Sequence, residues 1–359
     1  MGRRLGFVAR TVAHLDLDAF YVSVELLRRP ELAGLPVVVA GSGPRAVVTT
    51  ASYEARKFGV GSAVPASQAR RLCPEAVFIP PDFESYRSVS RDVMKLVRAA
   101  APVVEVAGLD EAYLELTGLL SPHAAMRRLV TEIQAETRLS ASVGIGPNRL
   151  VAKVSSDAEK PGGFVVLSRA DAFARFSAEP PGLLPGVGPK TAAALEEMGI
   201  ATIEALAGAA PDALAARFGP RMGPWLAHRA QFEDDSPVSE VRVAVSESRE
   251  TTFDFDVADR VELERILDGL VGQLCSGLSK QGRRGRTIGI KIRLDDFTTA
   301  TRARTLPEAV NEPERVGSVA RDLLREYAPS RPVRLLGVRV ASFDHEGREA
   351  GAQLALPVD

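Results

Sequence analysis

Three acidic residues stand where acids are costly. Asp16 ends the run TVAHLDLDAF, and Asp110 and Glu111 lie side by side in AGLDEAYLEL. Both runs are otherwise apolar and read as strands, and a carboxylate buried there needs a compensating charge. A divalent cation is the usual one. The donors are oxygen only, with no His or Cys cluster nearby in sequence, which suits Mg2+ or Mn2+ rather than zinc. Mg2+ held by few carboxylates usually completes its shell with substrate phosphates. A single aspartate in such a place is ordinarily a cap, a turn or a solvated residue; the second acidic run is what tips the reading toward metal. Asp18, at the step from strand to helix, reads simply as the N-cap of a helix over 19–28.

A second set of side chains could bind anionic oxygen. TASYEARKFG offers Thr50, Tyr53, Arg56 and Lys57, and DAEKPGG offers Lys160 at a helix end. Arginine grips phosphate through two parallel hydrogen bonds, whereas lysine acts as a point charge. Alone, EARK is a solvated helical turn; its place behind a strand and two hydroxyl residues favours a phosphate site. Lys153, four residues before Asp157, reads as one half of a helical ion pair. PGVGPKTAAALEEMGI (185–200) has the pattern of a helix-hairpin-helix. There Gly186 and Gly188 would let backbone approach a phosphate, and the following helix start would offer N–H groups. Such contacts are blind to base sequence. In SKQGRRGRTIGIKIRLDDFTTATRAR, Ile288, Ile290, Ile292 and Leu294 alternate with Lys291 and Arg293. Arg302 and Arg304 alternate likewise, and Lys280, Arg283, Arg284 and Arg286 come before, so eight bases face only Asp295 and Asp296. A merely solvated sheet mixes signs, so this stretch is expected to present a surface for a phosphate backbone.

The elements that must carry these groups follow from periodicity. Residues 11–18, 35–41, 45–52, the two halves of 103–118 and LSASVGIGP read as strands. Residues 19–28, 53–57, 65–72, 83–101, 122–138 and 148–159 read as helices, so the first 170 residues form a mixed α/β domain. Residues 180–230 read as short helices, and QFEDDSPVSE (231–240) as a linker. A strand (241–248), a helix (257–279), strands at 287–294 and 299–305, a helix (312–327) and a strand (333–342) then give β-α-β-β-α-β. The tail EGREAGAQLALPVD reads as unstructured. The 359 residues are 45% apolar and 25% charged, the balance of globular protein, and at ~150 residues per domain they predict about two to three domains. A net charge of −1 names no partner. Cys73 and Cys275 lie far apart with no CxxC, against a disulfide scaffold or thiolate zinc site and in keeping with a reducing cytoplasm. No apolar run approaches the ~20 residues of a membrane span, and MGRRLGFVARTV is too short for a signal peptide.

HLDLDAFYVSVE, VVTTASYEARKFGVGSAVP, GLDEAYLELTG, SVGIGPNRLVAKVSSDAEKPGG and LPGVGPKTAAALEEMGI occur in this order. Together they resemble the DinB branch of the Y-family DNA polymerases over essentially the whole chain. The resemblance implies an α/β multidomain protein: an α+β palm with a mixed sheet (1–25 and 80–178), small fingers (26–79) and a helical thumb with the helix-hairpin-helix (179–232). A linker (233–241), a β-α-β-β-α-β little finger (242–346) and a flexible clamp-binding tail (347–359) complete it. The activity implied is template-directed addition of dNTPs to a primer 3′-OH, with low fidelity, across lesions. Asp16, Asp110 and Glu111 then fall on the ligands of two Mg2+ ions, replaceable by Mn2+, with the Leu17 backbone carbonyl as a further ligand. Asp18 matches a characteristic position that is not a ligand. Thr50, Tyr53, Arg56 and Lys160 match contacts to the triphosphate. Tyr21 matches the steric gate against the 2′-OH, and Phe20 is expected in the same pocket floor. Gly186, Gly188, Lys190, Arg283, Arg284, Arg286, Lys291, Arg293, Arg302 and Arg304 would meet primer-template DNA. Gln353, Leu354 and Leu356 in QLALPV resemble a peptide that docks on the replication sliding clamp. A cytoplasmic monomer with no membrane contact is expected. One departure is Gly108, where the family usually has Ser. Two other readings stay open. A nucleotidyl cyclase-like palm enzyme is opposed by the helix-hairpin-helix and the basic C-terminal domain. A catalytically inactive DNA- and clamp-bound accessory protein is opposed by the presence of all three acids.

Overall fold

The computed structural model describes residues 10–241 and 243–344. The chain forms two compact units, 1–42 with 46–242 and 43–45 with 243–359. In the first, β1 (Val12–Leu17) leads into α1 (Phe20–Arg28), followed by β2 (Val37–Ala40), β3 (Val48–Ala51), α2 (Tyr53–Arg56), α3 (Ala66–Leu72) and β4 (Val77–Ile79). Then come α4 (Phe83–Ala100), β5 (Val103–Val106), β6 (Glu111–Glu115), α5 (Pro122–Thr137), β7 (Ala141–Gly146), α6 (Arg149–Asp157), β8 (Phe164–Val166) and α7 (Arg169–Phe176). The larger sheet has the order β5-β6-β1-β7-β8; β7 and β8 run parallel and the other pairs antiparallel.

Every residue of the central strand β1 is buried, because helices cover both faces of the sheet. Ala13, Leu15 and Leu17 enter the main core with Val97, Leu114, Leu129, Ile133 and Val143. His14 and Asp16 point to the opposite face, as strand alternation requires. There α6 lies directly on the sheet: a Cβ at Gly144 would stand 2.1 Å from the Ala152 carbonyl oxygen, so only glycine allows this approach. Strands β3, β2 and β4 make a second, small sheet over Val38, Val48, Ala55 and Ala69, while Val37 and Val39 join the main core. Strands β4 and β8 and helix α7 were not expected. They are short, and α7 is set by a capping box between Ser168 and Asp171.

Helices α8 (Pro189–Glu197), α9 (Ile203–Ala207) and α10 (Pro211–Ala230) enclose Leu184, Leu195, Ile203, Leu214, Leu226 and Phe232. The last is two helical limbs joined at Gly219, whose φ of 86° interrupts the helix before Pro220. The expected linker has no regular structure but is tied down along its length. Arg10 donates to Ser236 O at 2.8 Å, Arg149 to Pro237 O at 3.2 Å, and Ser239 N to Glu105 Oε2 at 3.0 Å.

The second unit contains β9 (Ser246–Val257), α11 (Arg260–Lys280), β10 (Gly285–Leu294), β11 (Thr299–Val310), α12 (Pro313–Tyr327) and β12 (Val333–Phe343). Its antiparallel sheet has the order β11-β10-β12-β9, and both helices pack on one face through Leu267, Leu274, Ala320, Leu324 and the isoleucines of β10. The β-α-β-β-α-β order is as expected, but the first strand is displaced toward the C-terminus from 241–248. Val241, Val243 and Val245 are exposed, and it is the polar segment from Ser246 to Thr252 that pairs with β12. Among the described residues no helix is long and apolar enough to cross a membrane.

Candidate active site

Strand pairing brings the two acidic runs together. Asp16 on β1 lies opposite Glu111 on β6, and Leu17 N donates to Asp110 O at 2.8 Å. The loop carrying Asp110 is fixed by Ser90 Oγ, which donates to Leu109 O at 2.6 Å. A Cβ at Gly108 would stand 3.1 Å from Asp110 Oδ1, so the glycine leaves that carboxylate uncrowded.

Two lysines meet the acids. Lys153 Nζ lies 3.2 Å from Asp16 Oδ2, 3.1 Å from Glu111 Oε2 and 3.4 Å from Asp157 Oδ2. Lys160 Nζ lies 2.6 Å from Asp16 Oδ1 and 2.7 Å from Asp157 Oδ1. The expected Lys153–Asp157 pair is present, but it is one edge of a network that spans β1, β6 and α6. Burial alone would lower the Lys153 pKa; Asp157, Asp16 and Glu111 outweigh it and hold the ammonium above its ordinary value. Glu111 is held down at about 2, with the His14 ring and Lys153 opposing its burial. The lysine is the firmer cause, since His14 Nε2 lies 3.3 Å from Glu111 Oε2 without the alignment of a hydrogen bond. Burial lowers the His14 pKa, and its Nδ1 pairs with Ser156 Oγ at 2.8 Å. Asp110 differs. Burial and the charges of Asp16 and Glu111 push its pKa up, and it has no ion pair among the described residues.

This donor set fits divalent ions. It is all oxygen, it includes the half-buried carboxylate of Asp110 with no ion pair among the described residues, and ammonium groups stand against the other two. Among the described residues no three His, Cys, Asp or Glu side chains already close around one point. Mg2+ shared with phosphate needs only one or two carboxylates.

Asp18 corrects the expectation of an N-cap. The α1 cap position is Ala19, in a left-handed conformation (φ 44°, ψ 44°) with no side-chain cap bond. Asp18 instead reaches sideways at the strand ends, where it accepts from Ser140 Oγ and Ser142 Oγ at 2.7 Å each and from Gly162 N at 2.9 Å. The Tyr53 hydroxyl is 3.4 Å away, which brings the TASYEAR segment against the acidic strand end. Burial and Asp18 push the Tyr53 pKa up to about 12, so it is a neutral donor. Thr50 is buried in β3, and Arg56 stacks 4.6 Å over the Tyr53 ring while its Nε donates to Ala51 O at 3.0 Å.

Tyr21 stacks on Tyr86 with centroids 4.5 Å apart and meets Phe83 edge-on at 5.9 Å. Tyr86 is buried, and its hydroxyl donates to Glu25 Oε1 at 2.8 Å. Burial and then the charge of Asp110 raise the Tyr21 pKa. Phe20 is instead only 2% exposed inside the main core, so it supports Tyr21 rather than lining a floor. Sequence reading passed over Tyr86, Ser140 and Ser142, and gave Lys153 only its helical partner. Their contacts join positions far apart in the chain, and no local pattern signals them.

Gly186 has φ 95°, and a Cβ there would meet the Trp225 ring at 2.6 Å, so this glycine serves packing. Gly188, at the N-cap of α8, faces open space, and Lys190 is exposed in the first turn. The basic residues of the second unit do not form one surface, contrary to expectation. In the register of β10 with β11, Lys291 lies opposite Thr301 and Arg293 opposite Thr299, on the face without helices. Arg302 and Arg304 lie opposite Ile290 and Ile288, on the helix side. There Arg304 pairs with Asp322 and Glu326, and Arg302 stacks on Tyr327. Acids from other elements also answer the bases: Arg283 pairs with Glu247, Arg284 with Glu312, Arg286 with Asp344 and Lys291 with Glu250. Apart from Arg283 with the largely covered Glu247, these pairs are exposed and individually weak. Gln353, Leu354 and Leu356 lie outside the described residues.

Residues 15–157 match the impB/mucB/samB family and 244–356 the C-terminal domain of that family. Residues 182–231 match the thumb domain of DNA polymerase-iota. The chain is 42% identical over 359 residues to DNA polymerase IV of Streptomyces coelicolor, covering 97% of this chain and 74% of the relative. It is 40% identical to DNA polymerase IV of Methanoculleus marisnigri, covering 94% and 95% of the two chains. The Y-family DNA polymerase chimera Dbh-Dpo4(243-245)-Dbh has a similar fold, with a TM-score of 0.82 and 26% identity over 92% of this chain and 98% of that one. Fold and relatives are those of a DNA-directed DNA polymerase. The chain belongs to the impB/mucB/samB family, the Y-family DNA polymerases.

Proposed function

We propose that Asp16, Asp110, Glu111 and the Leu17 carbonyl hold two divalent ions, Mg2+ by preference, at which this chain adds dNTPs to a primer 3′-OH during translesion synthesis. The observation that carries this is the pairing of Asp16 with Glu111 beside Asp110, a carboxylate with no ion pair among the described residues. Such ions would lower the pKa of the 3′-OH and neutralise charge on the phosphates. The chain's own residues do the rest. Lys160, Arg56, Tyr53 and Thr50 bind and orient the triphosphate. Tyr21, fixed against Tyr86, fills the space a 2′-OH would need. The thumb (179–232) and little finger (242–346) hold primer-template backbone, and the palm (1–25, 80–178) and fingers (26–79) enclose the nucleotide. Residues 353–358 dock on the sliding clamp as an extended peptide. The protein works as a monomer in the cytoplasm.

The test is primer extension with Mg2+ alongside primer-template binding. Asp16→Ala, Asp110→Ala and Glu111→Ala should each abolish nucleotide addition and leave DNA affinity largely intact, since the affinity is borne by basic groups elsewhere. Equal loss of DNA binding would sink the ligand assignment. The dNTP-to-rNTP ratio of kcat/KM in Tyr21→Ala, and clamp stimulation after removal of 353–359, read the gate and the tail separately; no change in either denies that role.

A further inference from the structure

We infer that Lys153 is an internal counter-cation of the acidic site, holding Asp16 and Glu111 together in the metal-free protein and competing with divalent ions for them. This rests on the reading of Asp16, Asp110 and Glu111 as metal ligands. Lys160 already has a proposed partner in the triphosphate; Lys153 has none.

The position of Lys153 is built into the fold. Helix α6 lies against β7 at Gly144 and against β1, and from there the Lys153 side chain reaches both acidic strands. At 3.2 Å from Asp16 and 3.1 Å from Glu111, the ammonium bridges β1 and β6. Those two oxygens cannot serve an ammonium and a divalent ion at once, because like charges would then stand within a few ångströms. Binding of the ion therefore displaces Nζ from at least one of them. The lysine has somewhere to go. Asp157, one helical turn away and 43% exposed, is already 3.4 Å from Nζ. Asp157 is shared with Lys160, so transfer of Lys160 to a triphosphate frees Asp157 for Lys153. Nucleotide binding thereby eases loading of the ions. In their absence Lys153 keeps the partly buried acids compensated.

Lys153→Met keeps the aliphatic stem and removes the charge. Mn2+ binding, counted from loss of the free-ion electron paramagnetic resonance signal without DNA or nucleotide, should reach its midpoint at a concentration lower by roughly tenfold, the scale of a coupling between two binding events. The metal-free variant should also melt at a lower temperature than wild type, and Lys153→Arg should keep the wild-type Mn2+ midpoint. An unchanged or higher midpoint in Lys153→Met overturns the inference, as does a Lys153→Arg midpoint as low as that of Lys153→Met. If wild type binds no more Mn2+ than the Asp16→Ala/Glu111→Ala double variant, it is the ligand reading that fails. Should Lys153→Met not fold, wild type carries the test. Acetylation of Lys153 by an amine-reactive ester, read by mass spectrometry, should rise over the range in which Mn2+ binds; flat or falling labelling overturns the inference.

Discussion

The carboxylate of Asp18 accepts from two serine hydroxyls and a backbone N–H, with a tyrosine hydroxyl just beyond. Asparagine at this position keeps one acceptor oxygen and turns an NH2 group toward donors. Buried donors left without an acceptor carry their full desolvation cost, and bonds to a charged group are the stronger kind. Asp18→Asn is therefore expected to lower stability by about 2–4 kcal/mol. Urea unfolding of the metal-free protein measures this, and the folded variant should still bind Mn2+. An Asp18→Asn protein as stable as wild type would show that these bonds add little. The sequence displayed Asp16 and Glu111 as odd acids in apolar strands, but only the pairing of β1 with β6 sets them opposite each other. It could not display the role of Asp18, whose serine partners lie 122 and 124 residues away. Lys153 was half legible for the same reason: Asp157 is a neighbour along its helix, whereas Asp16 and Glu111 are neighbours only across a sheet.

Helix α4 sets the position of the ring that Tyr21 leans on, because Phe83 and Tyr86 occupy its first turn. Asp82 caps that turn, accepting from Ser85 Oγ at 2.7 Å and Ser85 N at 3.2 Å, with Arg28 Nη1 at 2.7 Å. The Ser85 bonds and then Arg28 hold its pKa at about 2, below the ordinary 3.8. A depressed acid stabilises the fold above its unfolded pKa, and that contribution is lost as pH falls through the folded value. Asp82→Ala should accordingly lower the thermal midpoint at neutral pH, and the gap to wild type should narrow as pH falls from 3.8 toward 2. Melting curves over a pH series check this; a gap that ignores pH would mean the charge of Asp82 is not what caps the helix. Periodicity made α4 legible, and the same holds for α11, α12 and β10, each with one apolar face. It failed for β9, an edge strand with Thr251 and Phe253 half-covered among exposed acids and bases. The valines just before it alternate in sequence but are not covered by anything that would make them a strand.

A net charge of −1 conceals how charge is distributed, and so does the linear run of bases in the second unit. Eight bases in one stretch suggested one binding surface. A strand places alternate residues on opposite faces, and the pairing register decides which face is which. Here it puts Lys291 and Arg293 on the open face and commits Arg302 and Arg304 to the side of α12. Arg339 of β12 lies opposite Gly289, so it joins Lys291 and Arg293 on the open face, with threonines and glycines between them. Lys291, Arg293 and Arg339 are half-buried there, and Glu250 is the acid a polyanion would displace from Lys291. Each phosphate neutralised releases counterions, so each lost contact lowers the slope of log K against log salt by about 0.9. Lys291→Ala and Arg293→Ala are each expected to reduce the slope for primer-template by about that amount and to weaken binding without regard to sequence. Arg302→Ala and Arg304→Ala should leave the slope near the wild-type value and instead lower the thermal midpoint, since they remove contacts to α12. Fluorescence anisotropy titrations over a range of KCl concentrations, with melting curves on the same proteins, separate the two outcomes. If Arg302→Ala and Arg304→Ala flatten the slope as much as Lys291→Ala and Arg293→Ala do, both sides of the sheet edge meet the phosphates and the division by register does not govern DNA binding.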